Sequence, residues 1–90
     1  MQNTVCLVGK VSKTYKQDDE LYVILDVKRS YKNYEGVFLV DSIKCRIWKS
    51  AIRNCDNKYS EGINLAVSGR LCNENDNYYV DCYDVQYLGN

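Results

Sequence analysis

The 90-residue sequence contains no histidine and no proline, and only five glycines. Without histidine the chain lacks the side chain that most often acts as a base near neutral pH and the commonest nitrogen ligand of zinc. Without proline no strand is denied a ladder hydrogen bond. Long apolar runs are missing too. Hydrophobic residues make up 46% of the chain, but in short stretches, none near the roughly 20 residues needed to span a bilayer. No membrane association is expected. Met1 to Val5 shows neither a basic leader nor a small-residue cleavage site, so no secretory signal is expected and a cytoplasmic location follows.

Five cysteines are present, Cys6, Cys45, Cys55, Cys72 and Cys82. Their number is odd and no two stand in a C-x-x-C spacing, which reads as reduced thiols without a metal site. Cys45 and Cys82 fall within alternating stretches, where cysteine behaves as a small buried hydrophobe. No cysteine stands beside an obvious activating group, and Asp18 and Asp19 lie in a turn-like cluster. The chain is therefore expected to be neither an enzyme nor a cofactor carrier.

Twelve basic and twelve acidic residues give a net charge of zero, but the charges are segregated. Residues 43 to 53 carry Lys44, Arg46, Lys49 and Arg53 with no acid. A polyanion responds to such local potential, not to the net charge.

Nine tyrosines and apolar residues at alternate positions indicate an all-β domain spanning residues 1 to 90. The first strand is expected from Thr4 to Tyr15, with Val5, Leu7, Gly9 and Val11 on one face and Cys6, Val8 and Lys10 on the other. Leu21, Val23, Leu25 and Val27 mark a second strand. It is followed by a basic and aromatic loop from Lys28 to Gly36, which contains Arg29, Tyr31, Lys32 and Tyr34. The third strand, Val37 to Trp48, puts Ile43, Cys45 and Ile47 on one face and Ser42, Lys44, Arg46 and Trp48 on the other. Ile52, Cys55 and Tyr59 stand at helical spacing, which predicts a short helix over Lys49 to Tyr59. A fourth strand runs through Leu65, Val67 and Gly69, and a fifth from Tyr78 to Leu88. Three strands, a short helix between strands 3 and 4, then two strands is the order of a five-stranded Greek-key OB-fold barrel.

Four stretches, in order, resemble the bacterial single-stranded DNA-binding protein (SSB) family. Asn3 to Val11 resembles its opening N-x-V-x-L-[VI]-G-[RN]-L strand, and Asp41 to Trp48 its D-F-I-x-C-V-x-W strand. Gly62 lies fourteen residues after Trp48, and Gly69-Arg70-Leu71 resembles the G-[RQ]-L that closes strand 4. The resemblance implies that Trp48 stacks on DNA bases and that Tyr31 does so from the loop after strand 2. It also implies a homodimer or homotetramer built through strand 1. The chain departs from the family where Ser42 replaces a second stacking aromatic, where the strand 4 to 5 turn is short and uncharged by lysine or arginine, and where no acidic tail follows Leu88.

Stacking surfaces and cations along a phosphate path are what single-strand binding requires. The expected interface is Trp48, Tyr31, Lys44, Arg46, Lys28, Arg29, Lys32, Ser42, Lys10, Tyr34 and Tyr78. The expected function is sequence-independent binding of single-stranded DNA in replication, repair or mobile-element transfer, with single-stranded RNA as an alternative ligand. A different class of function stays open, an OB-fold adaptor of a primosome or replisome that binds DNA weakly.

Overall fold

A computed structural model describes residues 2–48 and 60–90. Five strands are present: β1 (Val5–Gln17), β2 (Glu20–Lys32), β3 (Phe38–Ile47), β4 (Asn64–Glu74) and β5 (Asn77–Gly89). They close into a barrel in the order β1-β2-β3-β5-β4, with β1 paired to β4 and β3 running parallel to β5. This is the expected all-β five-stranded barrel. The short helix expected over residues 49 to 59 lies outside the described residues, which contain no helix. No described helix is therefore long and apolar enough to cross a membrane.

Two tight turns follow directly from the sequence. Asp18 and Asp19 have φ of 54° and 63°, and Asn75 and Asp76 have φ of 52° and 64°. Two successive left-handed residues make the hairpin turn whose twist matches that of the strands, and Asp and Asn tolerate that region best after glycine. Hence β1 and β2 continue to the turn at Gln17 and Glu20, and β4 and β5 meet it at Glu74 and Asn77.

The β2–β3 hairpin differs from the expected loop. Strand β2 continues through Lys32, so Lys28, Arg29, Tyr31 and Lys32 are strand residues and the turn is confined to residues 33 to 37. The Asn33 side-chain oxygen accepts from the backbone N–H of Glu35 and of Val37, while the Asn33 N–H donates to the Val37 carbonyl. One asparagine thus satisfies the turn's backbone donors, and the chain folds back without a long loop.

Inside the barrel, Val11, Val23, Leu25, Cys45, Ile47, Leu65, Val67, Val80 and Cys82 are each at most 3% exposed. Each large aliphatic among them contributes about 1.5 to 3 kcal/mol by leaving water. Closure needs close backbone approaches at two glycines. A Cβ on Gly9 would collide with the Asp26 carbonyl, and one on Gly69 with the Asp81 carbonyl. These are the glycines of the opening and closing sequence motifs. Ile63 and Gly62 are tied to β1 through reciprocal backbone hydrogen bonds with Val11, both 2.8 Å.

Candidate nucleic-acid interface

The outer face of β3 carries the candidate site. Its alternation holds along the strand: Cys45 and Ile47 are buried, whereas Ser42 and Trp48 are exposed and Lys44 and Arg46 half-buried. Trp48, 44% exposed, lies just past the end of the strand. The Arg46 guanidinium stands 4.7 Å from its ring centroid and 5.2 Å from that of Tyr79. One cation thus bridges two aromatic rings.

Arg46 is not an open phosphate ligand. Its Nε donates to Asp81 at 3.0 Å and its Nη1 lies 3.3 Å from Glu20. The Asp81 hydrogen bond pushes the Arg46 pKa further up, fixing its charge. Asp81 is 9% exposed and reaches the face from β5, where it is paired with Arg46 in the ladder. A stretch free of acids in sequence is therefore not free of them in space. Arg29 is neutralised likewise, by a two-point hydrogen bond to Asp41 at 3.0 and 2.9 Å. That contact raises the arginine's pKa and holds the Asp41 carboxyl below its usual range.

The lysines are placed differently. Lys44 Nζ lies 4.6 Å from the Tyr22 ring, and Lys28 and Lys32 lie 4.5 and 5.4 Å from the Phe38 ring. Among the described residues none of the three has a carboxylate partner. The arginines of the expected interface are neutralised, while these lysines rest on aromatic rings with their charge available.

Four aromatic residues of this face, Tyr15, Tyr22, Phe38 and Tyr79, were not among the expected site residues. Tyr22 stands beside Arg46 in the ladder and stacks on Tyr15 of β1, centroids 5.3 Å apart and planes 15° off parallel. Its hydroxyl donates to Glu20 at 2.9 Å, and burial raises its pKa. The Tyr79 hydroxyl donates to Glu74 at 3.0 Å, and burial pushes its pKa up to about 12. Both phenols stay neutral hydrogen-bond donors. Tyr22 and Phe38 have the parity of a sheet exterior, opposite Val23 and in step with Ser42 to Trp48, so alternation alone pointed to them. Tyr79 and Asp81 reach Arg46 only through the parallel β3–β5 pairing, which no local pattern predicts.

The remaining expected residues are less concentrated. Ser42 donates to Asp26 at 2.8 Å, and Lys10 pairs with Asp26 across the β1–β2 ladder, so these three form one row across the sheets. Tyr31 (65% exposed) and Tyr34 (96%) stand on the hairpin, and Tyr78 (63%) near the β4–β5 turn. Of the cysteines, Cys45 and Cys82 are buried free thiols inside the barrel. A hydrogen bond with Cys45, and burial, hold Cys82 protonated.

No family model matches the chain. It is similar to single-stranded DNA-binding protein 1 of Streptococcus pyogenes serotype M18, 32% identical over 81 residues. The match covers 83% of this chain and 62% of that protein, so the chain spans under two thirds of its relative's length. A small single-stranded DNA-binding protein from Streptomyces coelicolor shares the fold, with a TM-score of 0.69 at 15% identity over 97% of this chain and 93% of that one. The chain is thus similar to an SSB protein in sequence and to SSB-like OB-fold proteins in fold. The N-terminal domain of the PriB protein from Thermoanaerobacter tencongensis, a dimeric structure, shares the SSB-like fold at a TM-score of 0.57 and 17% identity, covering 98% of each chain.

Proposed function

We propose that this chain binds single-stranded DNA without sequence preference, through stacking and charge and without catalysis. The observation that carries the reading is the outer face of β3, where an exposed tryptophan and rings capped by lysines free of carboxylates follow one another. Every base has a π face, so stacking on Trp48 tolerates any sequence, and the lysines supply the phosphate attraction. Single strands of this kind arise in the cytoplasm during replication, repair and mobile-element transfer. RNA is the competing ligand, and competition between matched DNA and RNA oligomers separates the two. Trp48→Ala is expected to weaken oligo-dT binding by about 1 to 3 kcal/mol, the value of one base stack. Lys44→Ala is expected instead to flatten the dependence of log K on log salt by about 0.7, one phosphate contact on a single strand. Fluorescence anisotropy of labelled oligo-dT reads both effects. Equal affinity of Trp48→Ala and the native chain would sink the proposed contact.

One observation favours the protein-adaptor reading: Val37 and Leu39 expose apolar surface on the opposite side of the hairpin, 51% and 40% exposed. A stable protein partner, with DNA binding no tighter than high micromolar, is the result that reading requires.

The chain is further proposed to form a homodimer or homotetramer through β1. Val8 is 62% exposed, and with Cys6 it gives the outer side of this strand an apolar surface. Light scattering is expected to give at least twice the mass of one chain, 10.5 kDa. A monomer at that mass refutes the assembly.

A further inference from the structure

The β2–β3 ladder is regular from Leu21↔Ile47 to Lys28↔Val40, then shifts so that Lys32 pairs with Phe38. Between those two pairs β2 has three residues, Arg29, Ser30 and Tyr31, where β3 has only Leu39. Without the shift Ser30 would stand opposite Phe38; with it, Lys32 does. Irregularities of this kind re-aim side chains, and here the result is that two ammonium groups, from Lys28 and Lys32, converge on one ring at 4.5 and 5.4 Å.

That ring is not part of the core. Phe38 is 37% exposed and absent from the buried cluster. Two like charges at one aromatic ring, with no described carboxylate in an ion pair with either, are an arrangement that an incoming anion relieves. A purely apolar partner would have to desolvate both ammonium groups, which is costly without a counter-charge. Phe38 also has the parity of Ser42, Lys44, Arg46 and Trp48. It stands ten residues before Trp48, roughly 30 Å at strand rise.

We propose that Phe38 is a second base-stacking platform, with Lys28 and Lys32 as its phosphate contacts, so that a bound strand runs along β3 from Trp48 to the hairpin. The inference rests on the single-strand reading above and assigns it a second subsite. The platform that Ser42 does not supply stands four residues earlier on the same side of the strand. In the free protein the lysines lie against the ring, and on base stacking they move to the flanking phosphates.

The test uses Phe38→Leu, which keeps apolar bulk and removes the π face, with circular dichroism to verify the fold. Anisotropy is measured with oligo-dT of about 4 and about 16 nucleotides, the two ends of the site-size range for one OB domain. Phe38→Leu is expected to weaken the long oligomer about 5- to 150-fold, equivalent to one stack, and to leave the short one, held at Trp48, unchanged. Trp48→Ala weakens both. In a Trp48→Phe background, Phe38→Trp should report the long oligomer by quenching of its emission. If the native chain binds both oligomers and Phe38→Leu binds them equally well, the second platform is wrong while the single-strand reading stands. If the native chain binds neither, both are wrong.

Discussion

Arg46→Met is expected to lower stability by about 3 kcal/mol, the low end of the cost of removing one partner from a buried ion pair. Arg46 and Asp81 have side-chain exposures of 17% and 10%, so the charge left on Asp81 has little water to turn to. Glu20, at 33%, is better hydrated and suffers less. For a domain of this size the loss corresponds to a fall in Tm of roughly 15 °C. The double variant Arg46→Met, Asp81→Leu should recover much of it, because replacing both partners removes the orphaned charge. A double variant no more stable than Arg46→Met would show that the guanidinium acts through its ring contacts instead. Binding should fall as well, since the Trp48 and Tyr79 rings lose the cation between them. Arg46 is thus a positioning residue for the tryptophan, and its charge is already spoken for by Asp81 and Glu20.

Gly69→Ala should be comparably severe, at about 3 kcal/mol, the upper part of the usual range for overpacking. The added methyl meets the Asp81 carbonyl, which belongs to the backbone and cannot swing aside as a flexible side chain would. The register of β4 against β5 shifts between Ser68 and Gly69, and the neighbouring Cys82 is fully buried. Relief therefore requires moving β5 where it also pairs with β3. Thermal unfolding followed by circular dichroism measures the effect. A Tm within a few degrees of the native value would mean that the barrel corner is softer than this packing implies.

These two residues also show how far the sequence could be read. Gly69 was recognisable as part of a motif, and the β3 alternation that sets Cys45 and Ile47 against Arg46 and Trp48 was legible without coordinates. Strand identity follows from such local periodicity. Charge pairing does not: Asp81 lies 35 residues from Arg46, and only the parallel β3–β5 contact brings them together. The same is true of Arg29 with Asp41, joined across a hairpin whose register shifts. Counting cations along the chain therefore overstates the free positive charge, because it weighs the ion-paired Arg29 and Arg46 equally with Lys28, Lys32 and Lys44. Phe38 was passed over for a different reason. Phe38 falls within the expected third strand and its parity is legible, but the length of β2 beyond Lys28 is not, so nothing local brings Lys28 and Lys32 to its ring.

The central claim is that single-stranded DNA binds a face whose working cations are lysines resting on aromatic rings. The direct test is titration of the native chain with oligo-dT, following Trp48 emission at a series of salt concentrations. Lys28, Lys32 and Lys44 would release about two counterions in all, so the slope of log K against log salt is expected near −2, with tryptophan emission quenched on binding. A slope of about −3.5, as five contacting cations including Arg29 and Arg46 would give, or the absence of binding at low salt, would contradict it.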